Sequence, residues 1–174
     1  MDTTTASTTF STPSDTELVG TRVWSAPIEL VWRAWTTPEL LEQWQLGTDR
    51  SSMPLCELDL REGGRWRMVW REPGADPDTM EMAGVFLEVS PPERVVQTEN
   101  WGGDWPETTN TLELFREDEG RTRSVLTIHY PSKQARDRVL ALDMSRGWAH
   151  ADRLLEGLLE ELQAGAVGLD ETHA

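Results

Sequence analysis

Four side chains offer nucleophile, general-base or soft metal-ligand chemistry: Cys56, His129, His150 and His173. Covalent catalysis needs a nucleophile held against a base, and a zinc or iron site needs several ligands at short, regular spacing. Neither pattern occurs. No His-x-x-x-His or Glu-x-x-His spacing is present, so no metal site is expected. Cys56 lies in Leu-Cys-Glu-Leu-Asp-Leu and reads as a small buried hydrophobe. His129 alternates away from Ile128 and Tyr130, which turns it to solvent. His150 follows Trp148 by two positions, roughly 200° around a helix, and is expected outward as well. His173 belongs to the chain's last residues. No catalytic residue and no cofactor is assigned.

The remaining polar candidates sit on strand faces expected to point inward. Thr98, Asn100, Tyr130 and Arg22 offer hydrogen bonds inside an apolar space. Tyr130 reads equally as a ligand contact and as a core tyrosine with a backbone partner. Arg22 is expected to pair with a carboxylate at the core edge, and Asn100 to end a strand in a turn. Gly102-Gly103-Asp104-Trp105 is open to two readings, a movable lid or an ordinary turn beside a core Trp101.

These groups need elements to position them. Residues Leu18–Trp24 read as a strand. Two helix starts follow, at Pro27 and at Thr37-Pro38, because proline fits the first helical turn and threonine an N-cap. Beyond a loop over Gly47–Pro54, strands are expected at 55–60, 65–71, 80–89, 94–101, 109–116 and 122–130, with Gly63-Gly64, Pro91-Pro92 and Gly102-Gly103 among the breaks. Arg65–Arg71 alternates Trp66, Met68 and Trp70 with arginines, the period of a half-buried antiparallel strand. After Ser132, a plausible N-cap by residue type, apolar residues recur every three or four positions from Leu140 to Leu162, as in one long amphipathic helix.

Composition bounds the rest. A chain of 174 residues builds one domain with a substantial core. Thirty-one acidic against 16 basic residues give a net charge of −15, which repels nucleic acid and anionic membranes. No secretory leader and no membrane span is read from the chain, so the cytoplasm is the expected location. The Ser/Thr-rich residues 1–17 are expected to form a disordered tail, residues 18–163 the domain, and residues 164–174 a flexible C-terminus. Strands joined by short turns, with helices kept apart from them, give an α+β class.

The element order resembles the helix-grip fold of the birch-pollen allergen, the START domains and the polyketide cyclases. Arg22-Val23-Trp24-Ser25-Ala26-Pro27, Val31-Trp32-Arg33-Ala34-Trp35-Thr36, Pro38-Glu39, Gly63-Gly64-Arg65-Trp66, Glu88-Val89-Ser90-Pro91-Pro92-Glu93-Arg94 and Gly147-Trp148 are similar to the bacterial SRPBCC proteins related to the activator of heat-shock-protein-90 ATPase. The family's usual Trp-Trp-Gly-Pro is Trp44-Gln45-Leu46-Gly47 here, and its Gly-Met is Asp143-Met144. The resemblance implies a curved antiparallel sheet of about seven strands, two short helices and one long C-terminal helix. It implies a cavity between sheet and helix for a small hydrophobic, aromatic or lipid-like ligand. A protein-partner module resembling a chaperone ATPase activator, or a cyclase-like enzyme, is the alternative. Its expected wall takes Trp35 and Trp44 from the helices, and Trp66, Met68, Trp70, Phe86 and Thr98 from one half of the sheet. Leu112, Leu114, Ile128 and Tyr130 come from the other half, with Met144 and Trp148 on the long helix.

Overall fold

The computed structural model describes residues 7–170. Its elements run β1 (Thr9–Ser11), β2 (Glu17–Trp24), α1 (Ile28–Thr36), α2 (Pro38–Trp44), β3 (Ser52–Leu58), β4 (Arg65–Arg71), β5 (Thr79–Ser90), β6 (Arg94–Glu99), β7 (Thr108–Arg116), β8 (Thr122–His129), α3 (Lys133–Leu140) and α4 (Ser145–Asp170). The strands form one curved antiparallel sheet of eight, ordered β1-β2-β8-β7-β6-β5-β4-β3.

Alternation decides which side chains enter the core. On β4, Trp66, Met68 and Trp70 are buried while Arg65, Arg67 and Arg71 are exposed. Across the centre, β7 contributes Thr108, Asn110, Leu112 and Leu114 to the same face, and β2 contributes Leu18, Arg22 and Trp24. Against this face α4 lays Ala151, Leu155, Leu158 and Leu159, the buried stripe of its 3.6-residue period. Thr37 ends α1 and caps α2 in an extended conformation (φ −110°, ψ 119°), because the proline ring at Pro38 disfavours a helical residue before it. It is the N-cap by position, although its side chain makes no capping bond.

Several expectations are corrected. The sheet has eight strands rather than about seven, because Thr9–Ser11 pairs antiparallel with β2 where a disordered tail is expected. Partners far along the chain hold this segment. Thr8 donates its amide and hydroxyl to Asp152 (2.8 and 2.9 Å), Arg136 binds the carbonyl of Ser14, and Tyr130 donates its amide to Thr16 (2.8 Å). Phe10 sits opposite Gly20 and meets the Trp148 ring edge-on at 5.5 Å; a Cβ on Gly20 would stand 3.1 Å from the Phe10 ring. Residues 1–6 of the expected tail lie outside the described residues.

The single helix expected after Ser132 is two. Ser132 does cap α3, its hydroxyl accepting from the Ala135 amide at 3.1 Å. The chain then breaks at Asp143, whose φ of 45° is incompatible with a continuing helix, and α4 restarts at Ser145. α4 continues to Asp170, past the 164 where a flexible end is expected, and residues 171–174, His173 among them, lie outside the described residues. β3 begins at Ser52, inside the expected Gly47–Pro54 loop, with an irregular register between Ser52 and Leu55.

Candidate functional site

Between the concave face and the helices lies a cavity of about 460 Å³. The sheet's inward positions and the N-terminal half of α4 build most of its wall. Trp66, Met68 and Trp70 of β4 and Phe86 of β5 line one side. Leu112, Ile128 and Tyr130 line the centre, and Met144 and Trp148 the helical side. Trp35 and Trp44 close another part of the wall, their rings 4.8 Å apart and inclined at 60°. Met80 and Leu142 line the cavity and are 45% and 49% exposed, so it reaches the surface beside them.

Two expected wall residues lie elsewhere. Thr98 has the wrong parity: on β6 it is Val95, Gln97 and Glu99 that line the cavity. The Thr98 hydroxyl instead accepts from the Val85 amide at 3.1 Å. Leu114 has the right parity but lies in the solid core, 2% exposed. It is paired with Ser124, which is paired in turn with Arg22.

Most tryptophans are oriented by their indole N–H. Trp44 donates to the Ala34 carbonyl (2.9 Å), Trp66 to the Thr98 carbonyl (3.1 Å), Trp70 to the Gln45 carbonyl (2.6 Å) and Trp24 to the Ser124 hydroxyl (2.8 Å). The Trp35 Nε1 is buried without a partner. The loop after β6 is a turn docked on α3. Arg138 stacks on Trp105 at 4.0 Å and donates to the Asp104 carbonyl at 3.0 Å, while Trp101 and Trp105 pack at 5.5 Å.

The remaining polar candidates fall into place around this cavity. Arg22 pairs with Asp152 (3.1 Å) and Glu156 (2.5 Å), with its side chain 2% exposed. Asn100 is exposed and takes the Gly102 amide on its own side chain (2.7 Å), a turn contact. His129 is exposed. His150 is not outward as expected: its side chain is 12% exposed, beneath Asp49 at 3.6 Å. Cys56 is half-buried, and its thiol is pushed up to about 12 by burial and by Glu42 and Glu39, which leaves it unreactive at neutral pH. Among the described residues no cluster of His, Cys, Asp or Glu is built to hold a metal ion.

Sequence reasoning missed Gln97, Thr108, Asn110 and above all Glu99, the only formally charged residue among the described residues lining the cavity. Its Oε1 accepts from Trp101 Nε1 at 2.6 Å and its Oε2 from Asn110 Nδ2 at 2.9 Å. Asn110 is itself oriented by the Thr108 hydroxyl, which donates to Oδ1 at 2.8 Å. Glu99 is partly buried and lines the cavity. Burial raises its pKa, against the opposing effect of the Trp101 and Asn110 hydrogen bonds. Burial and the Glu99 charge push the nearby Tyr130 hydroxyl up to about 12, so it stays a donor. The signal was present in the sequence: Glu99 shares strand parity with Val95 and Gln97.

A raised folded pKa has a definite sign in stability. The Glu99 contribution is fully present below the unfolded carboxyl value of 4.5 and is lost as pH rises through the folded value. Glu99→Gln is therefore expected to gain stability relative to wild type as pH increases from 4 to 8. Urea denaturation across that range checks it, and a difference independent of pH would contradict it.

The sequence over residues 25–160 matches the family model of the activator of Hsp90 ATPase homolog 1-like proteins. The chain belongs to this family. No match is found among curated proteins. Among solved structures, a Rhodobacter sphaeroides protein is similar, with 30% identity and a TM-score of 0.80 over 89% of this chain and 99% of that one. A Nitrosomonas europaea protein shares 29% identity with a TM-score of 0.76, over 88% of this chain and 99% of its own. A Mycobacterium smegmatis protein shares 25%, also at 0.76, over 87% and 96%. The helix-grip expectation of the sequence thus agrees with both the family and the fold. In this member of the Hsp90 ATPase activator-like family, Gln45, Leu46 and Gly47 are among the residues lining the cavity. No helix among the described residues is long and apolar enough to cross a membrane.

Proposed function

We propose that this protein binds a small hydrophobic, aromatic or lipid-like molecule in the cavity between its sheet and α4. The observation that carries the reading is a space of about 460 Å³ walled by tryptophan and methionine with few polar groups. Sites for small molecules occupy roughly 300–1,000 Å³ and have this balance. Apolar burial at about 25 cal/mol per Å² supplies affinity, and the polar cluster around Glu99 fixes orientation.

Trp35, Trp44, Trp66, Trp70 and Trp148 would report occupancy, because each lines the cavity. A panel of flavonoids, sterols, polyketides, fatty acids and aromatic amines is expected to include a member that quenches their fluorescence. At a hundredfold excess over Kd it would stabilise the fold by about 2.7 kcal/mol. A panel that moves neither fluorescence nor melting temperature would count decisively against the reading. Mass spectrometry of native protein from its own host checks it without choosing a probe.

The family match and the net charge of −15 favour a second reading, a module for a basic protein surface. Stimulation of a chaperone ATPase by the purified protein tests it, and no effect on turnover would remove it.

A further inference from the structure

We infer that the cavity selects an apolar ligand carrying one basic amine, with its ammonium group placed against the Glu99 carboxylate between Trp101, Asn110 and Tyr130. The inference rests on the cavity's being a ligand site.

Three observations carry it. First, among the described residues Glu99 is the only formally charged one along a wall that is otherwise apolar or neutral. Second, its protein partners are both pure donors at the atoms that face it, an indole N–H and an amide N–H. In this orientation the amide's Oδ1 accepts from the Thr108 hydroxyl. This arrangement suits an ionised acceptor and offers a carboxyl proton no acceptor among these partners.

Third, among the described residues no cation pairs with this carboxylate. Arg138, Arg22 and Arg136 are each engaged by other partners. Arg138 stacks on Trp105 and binds the Asp104 carbonyl. Arg22 is matched by Asp152 and Glu156, and Arg136 by Asp137 and the carbonyl of Ser14. Burial works against the ionised form of Glu99, and no positive side chain contributes to its pKa. A ligand ammonium supplies the missing charge and a donor at once. A ligand carboxylate, as in a fatty acid, brings like charge to the same place and is rejected. The body of such a ligand would lie against the apolar part of the wall, which includes Met68 and Phe86.

Three probes of one shape test this: 2-(2-naphthyl)ethylamine, 2-(2-naphthyl)ethanol and 2-naphthylacetate, titrated at pH 7 by calorimetry and tryptophan fluorescence. The amine is expected to bind at least about tenfold tighter than the alcohol, since a hydrogen bond between charged groups outweighs a neutral one. The acetate is expected to bind weakest. Glu99→Gln is expected to erase the amine's advantage over the alcohol. Glu81→Gln, an exposed carboxylate paired with Arg67, is expected to keep it, which separates the site from general attraction to an acidic protein. Alcohol binding without amine preference, or a preference that survives Glu99→Gln, would overturn the inference and leave the cavity reading intact. Failure of all three probes would count against both. Should Glu99→Gln not fold, the wild-type order amine, alcohol, acetate measured in about 0.5 M salt decides, because salt screens attraction to the net charge far more than a partly buried pair. Loss of the order there would overturn the inference.

Discussion

Gly84→Ala is expected to destabilise the fold by more than about 3 kcal/mol, an effect at the upper end for adding one methyl group. Gly84 lies on β5 opposite Trp66 of β4. The Trp66 indole reaches across β5 to donate to the Thr98 carbonyl on β6 at 3.1 Å. A Cβ at Gly84 would stand 1.9 Å from that carbonyl oxygen and 2.7 Å from Trp66 Nε1. One obstacle is backbone and cannot rotate away. The methyl group must therefore part β5 from β6 or expel the Trp66 ring from the cavity wall. Urea denaturation at 25 °C measures the loss, and Ala83→Gly, next along the strand, is a control expected to cost roughly 0.5–1 kcal/mol. A loss below about 1 kcal/mol for Gly84→Ala would mean that the two strands separate easily, contrary to the packing.

Asp152→Ala is expected to cost about 3–5 kcal/mol, the range for removing one member of a buried ion pair. The Arg22 side chain is 2% exposed, lies 4.0 Å above the Trp24 ring, and has no partner for its Nε. Without Asp152 its charge would retain Glu156 alone. The same substitution would strip Thr8 of both hydrogen bonds, so hydrogen exchange at residues 8–11 should rise with the fall in stability. Arg22→Met combined with Asp152→Leu should recover part of the loss, because an apolar pair removes the desolvation cost with the attraction. A full loss in the double variant, or little loss in the single one, would contradict this account.

The sheet was largely legible because one face is buried along most of its length. Arg65–Arg71 shows that pattern in full, and its strand has the bounds read from the sequence. Thr9–Ser11 escaped because its pairing with β2 is supported by Thr8 on Asp152 and Phe10 on Trp148, contacts more than a hundred residues apart of which local composition carries no trace. The α3–α4 break escaped because an apolar repeat can continue across a kink, and Leu140, counted in that repeat, is 42% exposed. Parity separates Glu99 from Thr98. An inward threonine is easier to expect than an inward carboxylate, whose tolerance depends on donors from Trp101 and Asn110 that only the fold brings together.

The contact of Arg22 with α4 also bears on how the protein is made. β2 pairs with β8, Thr21 opposite Val125, and the Arg22 charge is met only by Asp152 and Glu156. A nascent chain emerging from the ribosome therefore carries an early strand that cannot be completed until β8 and α4 have followed it. Contacts of such long sequence separation slow folding and leave apolar strand edges open meanwhile. Emergence of α4, rather than synthesis of the sheet, is the step that lets the domain close.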